Sequence, residues 1–372
     1  MKALLERVQT VADHPIDAIN QYVDQGKKAM GMVLPIGPME LVEAAGMMPV
    51  GVWGDYGVTL DLSKQYFPAF AASVAMVTME YALNGTYDKL SGMICPGLTD
   101  TLICLGQNLE AGVKAFPTLF LAYPQNRFLE CGHEFMASEL QKLQGRLEAI
   151  SGQKVTEEAL SAAIDLYNEH RSEMREFSDL AAKHANTITN IDRSNVYKSV
   201  WYMPRAEHLE IVKAINEKLR AMPKETYDGK KVVVTGLQFD DNNVLGFMEE
   251  NHLRIVGDLV GHDSVQYNQD VPDDKSGIER LARYWQKLEG FSVAYDPKKL
   301  RGKLVAKLAK ERGATGAIFA VMKFSDDEEY DMPICMKDIK AGGIIAVSFE
   351  FDQQESASEQ IKTRIQTFAE IL

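Results

Sequence analysis

Lys231-Val232-Val233-Val234-Thr235-Gly236-Leu237 is a short apolar run, β-branched at its centre and broken by glycine near its end. A run without an alternating polar face reads as a strand buried on both sides, the habit of parallel sheets covered by helices. Toward the C-terminus the pattern alternates. A helix is predicted over Asn243 to Glu250, a strand over Leu253 to Leu259, and helices near Gly277 to Leu288 and Leu304 to Glu311. A strand over Ala317 to Met322, a helix over Met332 to Lys340 and a strand over Gly343 to Phe349 follow. The last helix carries Ile361, Ile365, Phe368 and Leu372 on one face.

Toward the N-terminus the same signals recur. Apolar runs at Ala29 to Pro35, Met48 to Trp53, Ser91 to Pro96 and Thr118 to Tyr123 are short and bounded by Gly or Pro. Helical stretches separate them, among them Glu40 to Ala45, closed by Gly46 in the C′ position, and Ala69 to Ala82. From Glu130 to Met222 the reading is helical, with Leu160, Ile164, Tyr167, Met174, Phe177 and Ala181 recurring mostly at three, four and seven residues. The expected architecture is α/β: a parallel-sheet domain over residues 1–150, a helical connector over 151–228 and a second parallel-sheet domain over 229–372.

The 372-residue length agrees with two domains of roughly 150 residues each. Forty basic against 53 acidic residues give a net charge of −13, which opposes binding to a phosphate backbone. No apolar stretch approaches the ~20 residues of a membrane span, so neither nucleic acid nor membrane is an expected partner. Four cysteines, Cys95, Cys104, Cys131 and Cys335, follow no Cys-x-x-Cys spacing, and a reducing cytoplasm is the expected home.

Generic motifs add little. Gly236 stands alone where a dinucleotide fingerprint needs three spaced glycines, so a tight turn outweighs phosphate binding. The seven histidines lack metal-ligand spacing and read as surface or capping residues. Cys131 and His133 lack an orienting third group, which sets a nucleophilic pair behind a plain helix start. The run Asp326-Asp327-Glu328-Glu329 reads as a solvated loop and helix N-terminus. The 17 methionines read as core filling.

Six stretches, in order, are more specific. They are Glu40-Leu41-Val42-Glu43-Ala44-Ala45-Gly46-Met47-Met48-Pro49-Val50-Gly51-Val52-Trp53-Gly54, Gln65-Tyr66-Phe67-Pro68-Ala69-Phe70-Ala71-Ala72-Ser73 and Thr99-Asp100-Thr101-Leu102-Ile103-Cys104-Leu105-Gly106-Gln107-Asn108. Pro124-Gln125-Asn126-Arg127, then Met322-Lys323-Phe324-Ser325-Asp326 with Glu328-Glu329-Tyr330, and Thr363-Arg364-Ile365-Gln366-Thr367-Phe368-Ala369-Glu370 complete the set. Together they resemble the β-type subunit of the 2-hydroxyacyl-CoA dehydratases, a family with benzoyl-CoA reductase as a more distant member.

The resemblance implies two Rossmann-like domains, an α-type partner subunit, an ATP-dependent activator protein that supplies one electron, and an acyl-CoA substrate at the subunit interface. It also implies a [4Fe-4S] cluster held by three cysteines, whose positions here are Ala72, Thr99 and Ser325. Alanine has no donor, and neutral hydroxyls are hard, poor ligands where thiolate is wanted. No cluster is therefore expected in this chain, and the [4Fe-4S] group belongs to the partner. Cys95, Cys104 and Cys335 are candidate substitute ligands, but buried structural thiols are the simpler reading. Val265 and Asn268 stand where relatives carry arginines, which weakens an anion site there.

Three functions follow from the resemblance. The chain is a cluster-free subunit supporting a catalytic partner, an electron-relay subunit with relocated ligands or a flavin, or a stand-alone acyl-CoA-binding protein. The expected geometry puts Ala72 near a helix start and Thr99 and Ser325 just past strand ends in different domains, where open α/β sheets gather ligands.

Overall fold

A computed structural model describes residues 1–34 and 37–372, so the predicted strand end at Pro35 lies outside the described residues. Among the described residues eight strands form two four-stranded sheets, parallel throughout. The first sheet holds β1 (Ala29–Met32), β2 (Met48–Gly51), β3 (Gly92–Gly97) and β4 (Thr118–Ala122) in the order β2-β1-β3-β4. The second holds β5 (Lys230–Gly236), β6 (Leu253–Val260), β7 (Gly316–Met322) and β8 (Ile345–Phe351) in the order β6-β5-β7-β8. Counted from its own first strand, each sheet is wound the same way. The chain leaves the first strand to one side and returns on the other, so a crevice opens at the carboxyl ends between β1 and β3 and again between β5 and β7.

Helices α1 (Lys2–Asp13) and α2 (Pro15–Val23) precede the first sheet, and α3 (Met39–Ala44), α4 (Ser73–Leu83) and α5 (Asp100–Gly112) join its strands. Between the two sheets the chain runs through four helices, α6 (Glu130–Ser151), α7 (Glu157–Lys183), α8 (Asn190–Ser199) and α9 (Arg205–Ala221). Around the second sheet lie α10 (Asn242–Glu250), α11 (Gly277–Lys287), α12 (Arg301–Arg312), α13 (Asp326–Ala341) and α14 (Glu359–Ile371).

The opening run becomes β5, with Val232, Val233, Val234 and Thr235 fully buried between helical layers. Gly236 is demanded by its neighbour, since a Cβ there would lie 2.4 Å from the Ala320 carbonyl oxygen on β7. Gly46 takes the left-handed turn after α3, with φ +76°. In α7 all six residues of the predicted apolar stripe are buried. That stripe makes α7 a spine between the halves, packed on α3 on one side and on β6 on the other.

Three expectations need correction. α4 starts at Ser73 and not Ala69, because Pro68 and the turn at Ala71 occupy the intervening residues. α13 starts at Asp326, six residues before the predicted Met332, and carries Pro333 inside it, where the ring costs one backbone donor. β8 is shifted two residues, since Gly342 and Gly343 close α13 before the strand pairs Met322 with Phe351.

Candidate functional site

The carboxyl ends of both sheets face one chamber of about 240 Å³ between the halves. Leu34 and Leu237, just past the first strand of each sheet, form part of its wall. Thr99 and Ser325 cap the helices that follow the third strand of each sheet, so they occupy equivalent positions in the two halves. Ala72 caps α4. All three residues line the same chamber, and three helix N-termini therefore point into it.

The backbone is strained at this chamber. Leu34 has φ +64° and Phe324 φ +65°, the left-handed region that bulky residues avoid, and both line it. Such strain costs about 1–3 kcal/mol per residue and persists where surrounding structure fixes it, characteristically at functional sites.

The donor set does not suit iron. Ala72 offers none. The Thr99 hydroxyl oxygen accepts the Leu102 amide at 3.3 Å and so serves its own helix. Ser325 supplies only a neutral hydroxyl. Asp100, Asp326 and Asp327 also line the chamber, from opposite halves. Burial first, then the neighbouring Glu328, Asp326 and Asp100, raises the Asp327 carboxyl to about 6. This rim places carboxylates at two of the three helix N-termini, Asp100 on α5 and Asp326 and Asp327 on α13, and works against an anionic cluster.

The substitute cysteines are not brought together. Cys95 is buried in β3, its thiol donates to the Leu102 carbonyl at 3.2 Å, and burial pushes it up to about 12. Cys335 packs with Phe319 and Val321 in the other half, and burial raises it to about 11. Cys104 is exposed on α5, against the expectation of a buried thiol, because α5 turns that position to solvent. Among the described residues no three His, Cys, Asp or Glu side chains are placed to hold a metal ion.

Other sequence candidates resolve as structure. Cys131 is exposed while His133 is buried with Nε2 3.2 Å from Glu279, so the two residues on α6 face apart. Five histidines, His133, His170, His184, His208 and His262, are buried and not at the surface. They serve packing: His170 Nε2 meets His208 Nδ1 at 2.8 Å, the His262 ring packs on Trp53 with centroids 4.1 Å apart, and desolvation holds His208 near 3 and His262 near 4. Within the acidic run Glu328 is fully buried, because Arg301 reaches it at 3.0 Å and it accepts the Met322 amide. Asn268 lines a separate surface groove, while Val265 is buried.

A second cleft of about 610 Å³ opens beside the chamber and shares Leu98, Asp100, Val293 and Asp327 with it. Buried Arg127 lies at its wall and donates to the carbonyls of Trp285 at 2.7 Å and Tyr295 at 3.0 Å. It ties the loop before α12 to the first half. Gln353, just past β8, also joins the halves: its side-chain amide donates to the Trp53 carbonyl at 2.9 Å and its backbone amide to the Ser73 hydroxyl at 3.1 Å. Sequence reasoning missed Gln353, Leu34 and Phe324. Only Phe324 lay inside a quoted motif.

Two matched parallel halves enclosing a chamber at their facing strand ends define the class, and comparison with known proteins gives the family. Residues 36–372 match the family model described as 2-hydroxyglutaryl-CoA dehydratase, D-component, and the chain belongs to that family. It is 42% identical to the (R)-phenyllactyl-CoA dehydratase beta subunit of Clostridium sporogenes, over 97% of this chain and 96% of that protein. It is 37% identical to lactoyl-CoA dehydratase subunit beta of Anaerotignum propionicum, over 100% and 99%. With (R)-2-hydroxyglutaryl-CoA dehydratase subunit beta of Acidaminococcus fermentans the identity is 36% over the full length of both.

Proposed function

We propose that this chain is the β-type subunit of a 2-hydroxyacyl-CoA dehydratase, which removes water from an (R)-2-hydroxyacyl-CoA to give an (E)-2-enoyl-CoA. The observation that carries the reading is end-to-end similarity to three β subunits of such enzymes. The chain pairs with an α-type subunit in the cytoplasm, and an ATP-dependent activator protein serves the pair. The iron–sulfur chemistry resides in the partner. This chain contributes a rigid two-domain body and one wall of the acyl-CoA site.

The stiffness fits that role. Buried ion pairs tie the connector to both halves, Arg171 to Glu40 of α3 and Arg193 to Asp258 of β6, so a partner meets a preformed surface. Among the described residues no helix is long and apolar enough to cross a membrane. A subunit of this kind is expected to bury on the order of 2,000 Å² against its partner.

The test is anaerobic co-production with an α-type subunit from the same genome. Expected are a 1:1 complex and formation of 2-enoyl-CoA from phenyllactyl-, lactoyl- or 2-hydroxyglutaryl-CoA that requires both subunits, activator and ATP. A chain that stays monomeric beside such a subunit, or an α-type subunit fully active alone, would overturn the reading.

A further inference from the structure

We propose that the chamber is an iron–sulfur pocket that has kept its space and lost its ligands: this chain excludes a [4Fe-4S] cluster, and cysteines at Ala72, Thr99 and Ser325 readmit one. The exclusion concerns this chain alone. The reading above enters only in the corollary that iron in the assembled dehydratase sits in its partner.

Three independent observations support it. First, the three positions come from remote parts of the chain and from both halves, yet they line one chamber. Its volume of about 240 Å³ far exceeds the ~10–15 Å³ that one water needs. Second, each position is the residue immediately before a helix, of 11, 13 and 16 residues. A thiolate there would sit at a positive dipole end, which lowers thiol pKa and favours metal binding. Third, what replaces the thiols is unfit in three different ways: Ala72 lacks a donor, Thr99 spends its oxygen on the Leu102 amide, and Ser325 is a hard neutral ligand.

The rim carboxylates add to the exclusion. Asp100 and Asp327 approach from opposite halves and make the chamber electronegative. A thiolate-held cluster is itself anionic. Among the described residues lining the chamber none is basic, so only the helix ends offset that repulsion.

The experiment uses the full chain purified alone under argon. Wild type and the variant Ala72→Cys/Thr99→Cys/Ser325→Cys are incubated with equal ferrous and ferric iron plus sulfide, which supplies the mixed valence of the cluster without an outside oxidant. After desalting, iron, sulfide and visible charge-transfer absorption are measured. Expected are a colourless wild type with iron near zero and a brown variant with about four iron and four sulfide per chain. Stoichiometric iron and sulfide in wild type would overturn the exclusion. A triple variant with native circular dichroism and no cluster would overturn the claim that the space is kept.

Should the triple variant fail to fold, Thr99→Cys/Ser325→Cys decides the geometry, because those two caps occupy equivalent places across the chamber. A short bifunctional thiol reagent is expected to bridge them within one chain; absence of bridging in folded protein would sink the shared pocket. None of these readouts uses dehydratase activity, so failure here and failure of the functional reading are separable.

Discussion

Ionising Asp327 works against folding. A carboxyl raised from 3.8 to about 6 holds its proton more tightly in the folded chain than in the unfolded one. Stability is therefore lost as pH rises through the window between those values and stays lost above it. Asp327→Asn is expected to stabilise the protein at pH 7 by about 1 kcal/mol after allowance for solvent screening, with the gain gone below pH ~4. Denaturant melts of both proteins at pH 4 and pH 7 check this, and equal midpoints at pH 7 would count against it. The thiols make a second residue-scale prediction. Cys104 and Cys131 are exposed while Cys95 and Cys335 are buried with raised pKa, so two of the four should react quickly with a thiol reagent in native protein. Rapid labelling of all four would contradict the burial.

At the scale of elements, the strands were legible because buried parallel strands leave an unmistakable trace: short apolar runs that Gly and Pro bound on each side. β5 illustrates it, as does the apolar stripe of α7. The helix starts at the chamber were less legible. Asp326 to Glu329 is rich in charge, and a start at Met332 seemed natural, but Ser325 and the ion pair of Glu328 with Arg301 fix the helix earlier. Left-handed backbone at Leu34 and Phe324 had no sequence signal, since neither Gly nor Asn marks it. The sequence around Gly236 predicts a tight turn, and the structure gives a stricter reason for glycine, strand approach. Gly236→Ala should therefore cost more than ~2 kcal/mol, because a backbone carbonyl at 2.4 Å cannot step aside like a side-chain tip. A thermal shift of less than a degree would show that β5 and β7 part easily.

For the whole molecule, the meeting of Ala72, Thr99 and Ser325 could be anticipated from family likeness combined with the rule that α/β sheets collect ligands at their carboxyl ends. What holds the halves in that relation could not. Gln353 lies 300 residues from Trp53, and one polar residue among many gives no hint that it is fully buried across the seam. Gln353→Ala removes the bond to the Trp53 carbonyl and leaves that acceptor dry, at a cost of about 1–3 kcal/mol. The larger expectation is local: amide hydrogen exchange at the start of α4, beside Ser73, should accelerate more than exchange in β5 or β7. Uniform acceleration would mean that Gln353 supports global stability and does not clamp the seam.

The capping of the chamber has a consequence for biosynthesis. Where a metal joins distant parts of a chain, its binding free energy becomes folding free energy, and the apo form is left loose or unfolded. Here Thr99 caps its helix from within, and the seam between the halves is closed by Gln353 and Arg127. The proposed exclusion of a cluster would thereby uncouple folding of this chain from iron supply. On the reading proposed above, with iron held by the partner, the subunit would accumulate fully formed in an iron-poor cell, and loading of the partner would set the abundance of working enzyme.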